Sequence, residues 1–331
     1  MSRRVIDLLV FFKDYLGMAL VLAVLLIVFG VFAESFFTLR NFRTIANQIP
    51  SGTIVAVGMT FVLIIAGIDL SVGSVLALAG AVLGVCLVQR GLPLPAAIFG
   101  CLGVGILCGA ANGLVVIKWK LPSFIVTLGM LEIARGAAYL VTGSETMYIG
   151  RAVGVIATTS ILGLSLPFVL AVFIVLVGQL VLSWTVFGRY MIAIGTNEEA
   201  VRLSGIDPRP IKLAVFALSG FLTSVAAVIN TARMEAADPN AGEGLELSAI
   251  AAVVIGGTSL MGGRGSVIST FFGVLIIAVL GAGLTQMGAQ EPTKRVITGC
   301  VIVAAVILDH YRHRIRKSGK KSVAGTTKQA F

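Results

Sequence analysis

The sequence is short of charge: only 12% of its 331 residues are Asp, Glu, Lys or Arg, about half the share found in an ordinary soluble domain. It is short of histidine as well, and both copies, His310 and His313, lie in the C-terminal tail, which excludes a histidine proton relay within the apolar part. The four cysteines, Cys86, Cys101, Cys108 and Cys300, stand singly inside apolar runs. That spacing suits no metal and implies no disulfide framework, so they read as small hydrophobes. A G-x-x-x-x-G-K-[ST] phosphate loop is missing too. The nearest text, Gly319-Lys320-Lys321-Ser322, has Lys where Ser or Thr should follow and Arg314 where the first glycine should stand, so the chain does not bind ATP by that device. Neither H-E-x-x-H, G-x-S-x-G nor an enzyme-type cluster of carboxylates occurs, and a catalytic role has little to stand on.

What the sequence has is apolar length. Hydrophobic residues make up 57%, and a helix needs about 20 mainly apolar residues to cross a hydrocarbon core of about 30 Å. Ten candidate spans emerge, at 16–33, 50–66, 72–88, 94–117, 122–141, 166–187, 212–232, 247–260, 267–287 and 295–309. The reading is an all-α polytopic bundle: a cytoplasmic N-terminus at 1–15, a membrane domain at 16–309 with a long loop at 188–211, and a basic tail at 310–331. The first run, followed by Glu34 and Ser35, reads as a retained span rather than a cleaved signal. With both termini on the cytoplasmic side, the cytoplasmic segments hold 17 of the 25 basic residues and the opposite side seven, Arg135 lying within a span. This is the asymmetry of the positive-inside rule. The net charge of +10 is therefore read as topology and lipid contact rather than as nucleic-acid binding.

The chain also echoes itself. Ile65-Ala66-Gly67-Ile68-Asp69-Leu70 followed by Gly73-Ser74-Val75 resembles Ile255-Gly256-Gly257-Thr258-Ser259-Leu260 followed by Gly265-Ser266-Val267. Six spans separate the copies, which implies two parallel repeats, each broken by glycine between a short span and the next. In the fourth span Gly105, Gly109 and Gly113 follow one another at i, i+4 and predict a helix-packing seam.

Ionisable and amide groups inside spans need a reason. Glu132 and Arg135 can meet on one helix face, either lining a polar pathway or fixing packing. Asp69 can cap the helix that starts near Val72, as Ser71 also can, or contact an ion or solute. Asn112, Gln179 and Asn230 can bond a neighbouring helix or a polyhydroxylated solute. In the loop 188–211, Thr196 with Glu199 forms a capping-box pattern, Gly205 suits the position after a helix end, and Pro208 and Pro210 stop continuation. Glu198 and Glu199 sit at the positive end of the helix dipole, and Glu198 can pair with Arg202. A helix of about two turns so well specified reads as a docking element, with a lipid-interface helix as the alternative.

Val57-Gly58-Met59-Thr60, then Gly67-Ile68-Asp69-Leu70-Ser71-Val72-Gly73-Ser74, resembles the signature of the membrane permeases of bacterial ABC sugar importers, of the ribose, xylose, galactose and autoinducer-2 type. Further matches are Phe187-Gly188-Arg189-Tyr190, Asn197-Glu198, Arg202-Leu203-Ser204-Gly205-Ile206, the run Leu247 to Thr258, and Gly262-Gly263-Arg264-Gly265. The likeness covers about 36–309 and is greatest to the ribose type, although those permeases carry Asp where this chain has Ser248. It implies a bacterial inner-membrane subunit that works as a homodimer or heterodimer with two cytoplasmic ATPase domains and an external sugar-binding protein. ATP and Mg would be held by the ATPase, with no cofactor in this chain. It also implies a coupling helix seated in the ATPase, which falls on Asn197 to Gly205. Two rivals stay open at this point: an ion-coupled secondary transporter with Asp69 or Glu132 as the ion site, and a structural or regulatory membrane subunit.

Overall fold

The computed structural model describes residues 3–33, 36–161, 163–290, 292–301, 303–304 and 307, with side chains from residue 16 onward. The predicted tail at 310–331 lies outside the described residues. Eleven helices are bounded within them: α1 (Arg3–Phe32), α2 (Leu39–Ile64), α3 (Val72–Gly84), α4 (Leu94–Trp119), α5 (Ser123–Thr142), α6 (Arg151–Thr158), α7 (Leu166–Trp184), α8 (Val186–Leu203), α9 (Arg209–Met234), α10 (Leu245–Ile255) and α11 (Val267–Gln286). A π-helical turn, Val85–Gln89, extends α3, and residues 292–301 are helical again.

Seven of these helices, α3 with its π-turn included, are long and apolar enough to cross a membrane. Leu16–Phe32 of α1 and α10 are apolar but shorter. The chain is therefore a polytopic helical protein. Most predicted spans fall on helices with ends shifted by a few residues. Two helices start well before their predicted spans: α1 at Arg3 rather than at 16, and α2 at Leu39 rather than at 50 because Thr38 caps it, its hydroxyl accepting from the Asn41 amide at 3.3 Å. The helix thus begins with a polar stretch, Arg40 to Gln48, which a hydropathy reading assigns to a loop.

At the centre stands α2. From Thr53 to Ile64 every residue is buried, the mark of a helix surrounded by protein on all sides. It packs against α7, α9, α10 and α11. By contrast α5 buries only Thr127, Ala134, Ala138 and Thr142 and turns an apolar face outward. The tightest helix pair is α4 with α9. A methyl group on Gly105 or Gly109 would collide with the carbonyls of Gly220 or Phe216, and one on Gly113 would crowd Leu213. The three glycines thus let two backbones touch, which van der Waals packing in a membrane rewards.

Two short β-ladders close the end of the bundle that holds residues 143–165. Strand β1 (Met147–Tyr148) pairs antiparallel with β4 (Ala236–Ala237), and β2 (Ser160–Ile161) pairs with β3 (Leu164–Ser165). The amide groups of Ile149 and Gly150 both donate to the Glu235 carbonyl, so the connection after α5 is tied to the connection after α9.

Candidate functional site

The chemistry of the molecule gathers where helices are interrupted. Helix α2 ends in a paired turn, with the Ala66 amide donating to Leu63 O and the Gly67 amide to Val62 O, both at 2.9 Å. Helix α10 ends in the same way: Gly257 donates to Val254 O at 2.8 Å and Thr258 to Val253 O at 3.1 Å. The residue that turns left-handed is Ala66 (φ 59°) in the first case and Gly257 (φ 82°) in the second. The two echoing segments are therefore the same kind of helix end. Ala66 tolerates the left-handed cost, about 1–2 kcal/mol for an L-residue, beside Gly262, where a methyl group would lie 2.8 Å from the Ala66 Cβ.

The first break is stitched by side chains. Asp69, 2% exposed, accepts from the Ser71 amide (3.1 Å) and hydroxyl (2.6 Å) and from the Ser219 hydroxyl of α9 (3.1 Å). The Asn112 side chain of α4 donates to Ser71 Oγ at 3.0 Å. From α5, Ser123 Oγ accepts from the Ile68 amide (2.9 Å) and Thr127 Oγ1 accepts from the Leu70 amide (3.0 Å). Backbone freed from the helix ladder is thereby satisfied by neighbouring helices, as a broken membrane helix requires.

The second break, between α10 and α11, is held differently. The Gly263 amide donates to Ile64 O at 2.9 Å, which ties the break to the end of α2. On the far side Gln179 of α7 caps α11, its Oε1 accepting from the amides of Val267 (2.8 Å) and Ile268 (3.2 Å) and from Ser266 Oγ (3.1 Å).

A third segment enters the same junction. Helix α8 is two helices joined at Asn197, whose backbone is extended (φ −162°, ψ 96°). Just before the joint, a methyl group on Gly195 would fall on Ile64 O and crowd the Gly263 amide, and one on Gly263 would meet Thr196. Three backbones, from the ends of α2 and α10 and from the joint in α8, therefore meet with no side chain between them.

Beyond the joint a six-residue helix runs from Glu198 to Leu203. Its cap is Asn197, whose Oδ1 accepts from the Ala200 amide at 2.9 Å. The expected cap, Thr196, instead donates back to Ile192 O at 2.7 Å as a member of the preceding helix, which moves the start by one residue and dissolves the Thr196–Glu199 box. Gly205 (φ 86°) ends the helix as expected, its amide donating to Arg202 O at 3.1 Å. The expected Glu198–Arg202 pair is replaced by two others, Glu199 with Arg202 at 2.7 Å and Glu198 with Lys212 of α9 at 3.0 Å. Leu203 is 79% exposed. Beside this helix and the end of α4 lies a groove of about 730 Å³ whose walls include Lys120, Glu198, Glu199, Arg202 and Lys212.

At the opposite end the polar start of α2 faces α10, the second half of α11 and residues 294–299 across an open cavity of about 970 Å³. No polar span residue expected to line a pathway is among its walls.

The residues 41–306 match the model of the family described as branched-chain amino acid transport system / permease component. The chain belongs to this family. Among curated proteins the permease is 40% identical to the ribose import permease protein of Haemophilus influenzae over 88% of this chain and 91% of that one. It is 39% identical to the ribose import permease protein of Bacillus subtilis, over 89% and 92%, and 36% identical to the fructose import permease protein of Rhizobium meliloti, over 89% and 85%. No solved structure matches it significantly.

Of the other expected pathway residues, one has a definite use. Arg135 does not meet Glu132: its guanidinium donates to the carbonyls of Pro239 and Ala241 and pins the loop before α10. Glu132 is exposed on the outer face of α5, and Asn230 is half-buried on α9. Of the glycines expected at the breaks, Gly67 packs on Val62 and Phe216, Gly73 on Gly242 and Glu246, and Gly256 on Ser269 and Thr270. Sequence reasoning missed Gly195 and Gln48. The signal for Gly195 was its place one residue before the expected cap Thr196; Gln48 gave none, because it falls before the predicted span.

Proposed function

We propose that this permease is the membrane subunit of an ATP-binding cassette importer for a monosaccharide or related polyol. Relatives named for ribose, fructose, allose and xylose favour a sugar over the branched-chain amino acids of the family description. The excess of basic residues in alternate connections supports ten spans with both termini in the cytoplasm of the inner membrane, and the shared helix-end geometry of the two breaks supports two parallel repeats. A partner ATPase would hold ATP and Mg, an external binding protein would deliver the solute, and a second permease copy, identical or not, would complete the channel. The basic tail at 310–331 would face lipid headgroups.

The observation that carries the mechanism is the junction of Ile64, Gly195 and Gly263. The helix Glu198–Leu203 presents Leu203 and two exposed ion-paired residues, Glu199 and Arg202, to a partner, and it is joined by backbone contact to both breaks. A push from nucleotide-driven ATPase closure on Asn197 to Gly205 would reach the ends of α2 and α10 directly, with no compliant side chain to absorb it. Four of the expected pathway residues, Asp69, Asn112, Arg135 and Gln179, take scaffolding roles in this reading. Glu132 and Asn230, whose side chains have no hydrogen-bond partner among the described residues, stay as pathway candidates.

The test is uptake into proteoliposomes holding the permease, its ATPase and sugar-loaded binding protein. Uptake that requires ATP and falls at least tenfold in Glu198→Ala plus Glu199→Ala, with the permease still folded, supports the proposal. Uptake without the ATPase that follows an ion gradient and stops in Asp69→Asn sinks it in favour of a secondary transporter.

A further inference from the structure

Half of one wall explains an oddity of the sequence. The first turns of α2 carry arginine, asparagine, threonine and glutamine where a membrane span is normally apolar, and these residues border the cavity of about 970 Å³. That volume lies within the roughly 300–1,000 Å³ of small-molecule sites. It adjoins a second, open pocket of about 230 Å³ between α2, α10 and α11, lined by Ile49, Gly52, Leu245, Ala249, Ala252 and Val274. Gln48, Ser248, Ile277 and Ala278 line both chambers, and of these only Gln48 and Ser248 have polar side chains. The wall changes from polar to apolar at that ring.

The second wall is built for the same purpose. With 11 residues, α10 is roughly 16 Å long, about half a bilayer core of about 30 Å. It starts inside the bundle, where Gly73 of α3 packs against Gly242 and Glu246, and its N-terminal end, with Gly244 and Ser248, opens on the cavity. A discontinuous helix whose start faces a polar chamber is how membrane carriers place donors at mid-depth. The mouth mixes signs, Arg40, Lys294 and Arg295 with Glu243, and adds the amides of Asn41 and Gln48 and several hydroxyls. The Asn41 amide donates to Phe36 O and the hydroxyls of Thr44, Ser248 and Thr285 donate within their own helices, so the Gln48 amide and the hydroxyl lone pairs are left to meet a neutral solute rich in hydroxyl groups.

We infer that this cavity is the solute's vestibule and that Gln48 and Ser248 form the selective ring through which an uncharged polyol leaves it for the apolar chamber below. The inference rests on the importer reading, which puts this end of the bundle outside. An apolar chamber beneath a polar ring lets a solute pass without holding it. Selection therefore falls on two side chains rather than on a deep site.

The experiment uses the complete transporter in proteoliposomes with labelled ribose, fructose and leucine as probes. In the wild type, sugar uptake is required before any variant is scored; uptake of leucine and of neither sugar overturns the reading on which the inference rests. In Gln48→Leu and Ser248→Val, sugar uptake is expected to fall at least tenfold with ATPase assembly unchanged, while Gln48→Asn stays within threefold of wild type. Uptake within twofold of wild type in both apolar variants overturns the ring. Should either variant fail to assemble, Ser248→Cys in a background with Cys86, Cys101, Cys108 and Cys300 changed to Ala decides the matter. Sugar uptake stopped by an external thiol reagent supports the vestibule, and uptake indifferent to the reagent overturns it.

Discussion

The two breaks have the same helix end and opposite fastenings. After α2 the chain is laced by hydrogen bonds from three helices, through Asp69, Ser71, Asn112, Ser123, Thr127 and Ser219. After α10 the connection is rich in glycine and leans on the backbone of Ile64 and Gly195. Side-chain hydrogen bonds at fixed distances hold one geometry, whereas glycine contacts permit sliding until a backbone collides. On that contrast the first break is expected to act as the fixed jaw and the second as the moving one, which the variants below test. The α8 joint touches both.

The harshest way to break this comparison is to fill the space they share. Gly195→Val puts side-chain atoms on Ile64 O and the Gly263 amide, and neither neighbour is a flexible side chain. A cost of about 4 kcal/mol or more, at the top of the range for single changes, is expected, read as a large drop in melting temperature in detergent and the loss of uptake. A variant that keeps its melting temperature would remove the three-backbone junction from the mechanism.

The fixed jaw is tested by Asp69→Ala. It strands the Ser71 and Ser219 hydroxyls and the Ser71 amide in a buried place, at about 1–3 kcal/mol for a group left unsatisfied. Asp69→Asn keeps one acceptor oxygen and should cost less, with ATP-dependent uptake retained. If Asp69→Asn melts like wild type but transports nothing, the aspartate does more than fasten the break. The exit of the moving jaw answers to Gln179→Leu, which removes the cap on the first amides of α11. About 0.5–2 kcal/mol is expected, the range for a lost helix cap, measured by thermal unfolding beside Asp69→Ala. A larger loss than for Asp69→Ala would reverse the assignment of fixed and moving jaws.

Much of this arrangement was legible before any coordinates. The glycine seam on α4 and the stop at Gly205 are local signals, and local physics decided them. The cap slipped by one residue because Thr196 and Asn197 are both competent caps, and the choice fell to the length of the preceding helix, which retains Thr196 through its bond to Ile192. Arg135 was read toward Glu132 three residues away, but its partners are carbonyls more than a hundred residues downstream. The vestibule was hidden for a related reason. Hydropathy begins a span where apolar residues begin, so the polar turns of α2 read as a loop, and only the helices opposite reveal what those residues face.

The gentlest change sharpens the comparison most. Arg202 pairs with Glu199 on an open surface, and exposed pairs of this kind contribute about 0.2–1 kcal/mol, so Arg202→Ala should leave the melting temperature almost unmoved. Neither break would be touched. If the helix Glu198–Leu203 is the handle by which the moving jaw is driven, the same substitution should weaken co-purification of the ATPase and lower ATP-dependent uptake severalfold, an effect larger than its stability cost. Salt should narrow the gap between variant and wild type, because it screens a surface charge contact that only the wild type makes, over about 10 Å at 0.1 M ionic strength. An Arg202→Ala permease that binds and responds to its ATPase as wild type does would restrict the handle to Leu203 and the two glutamates.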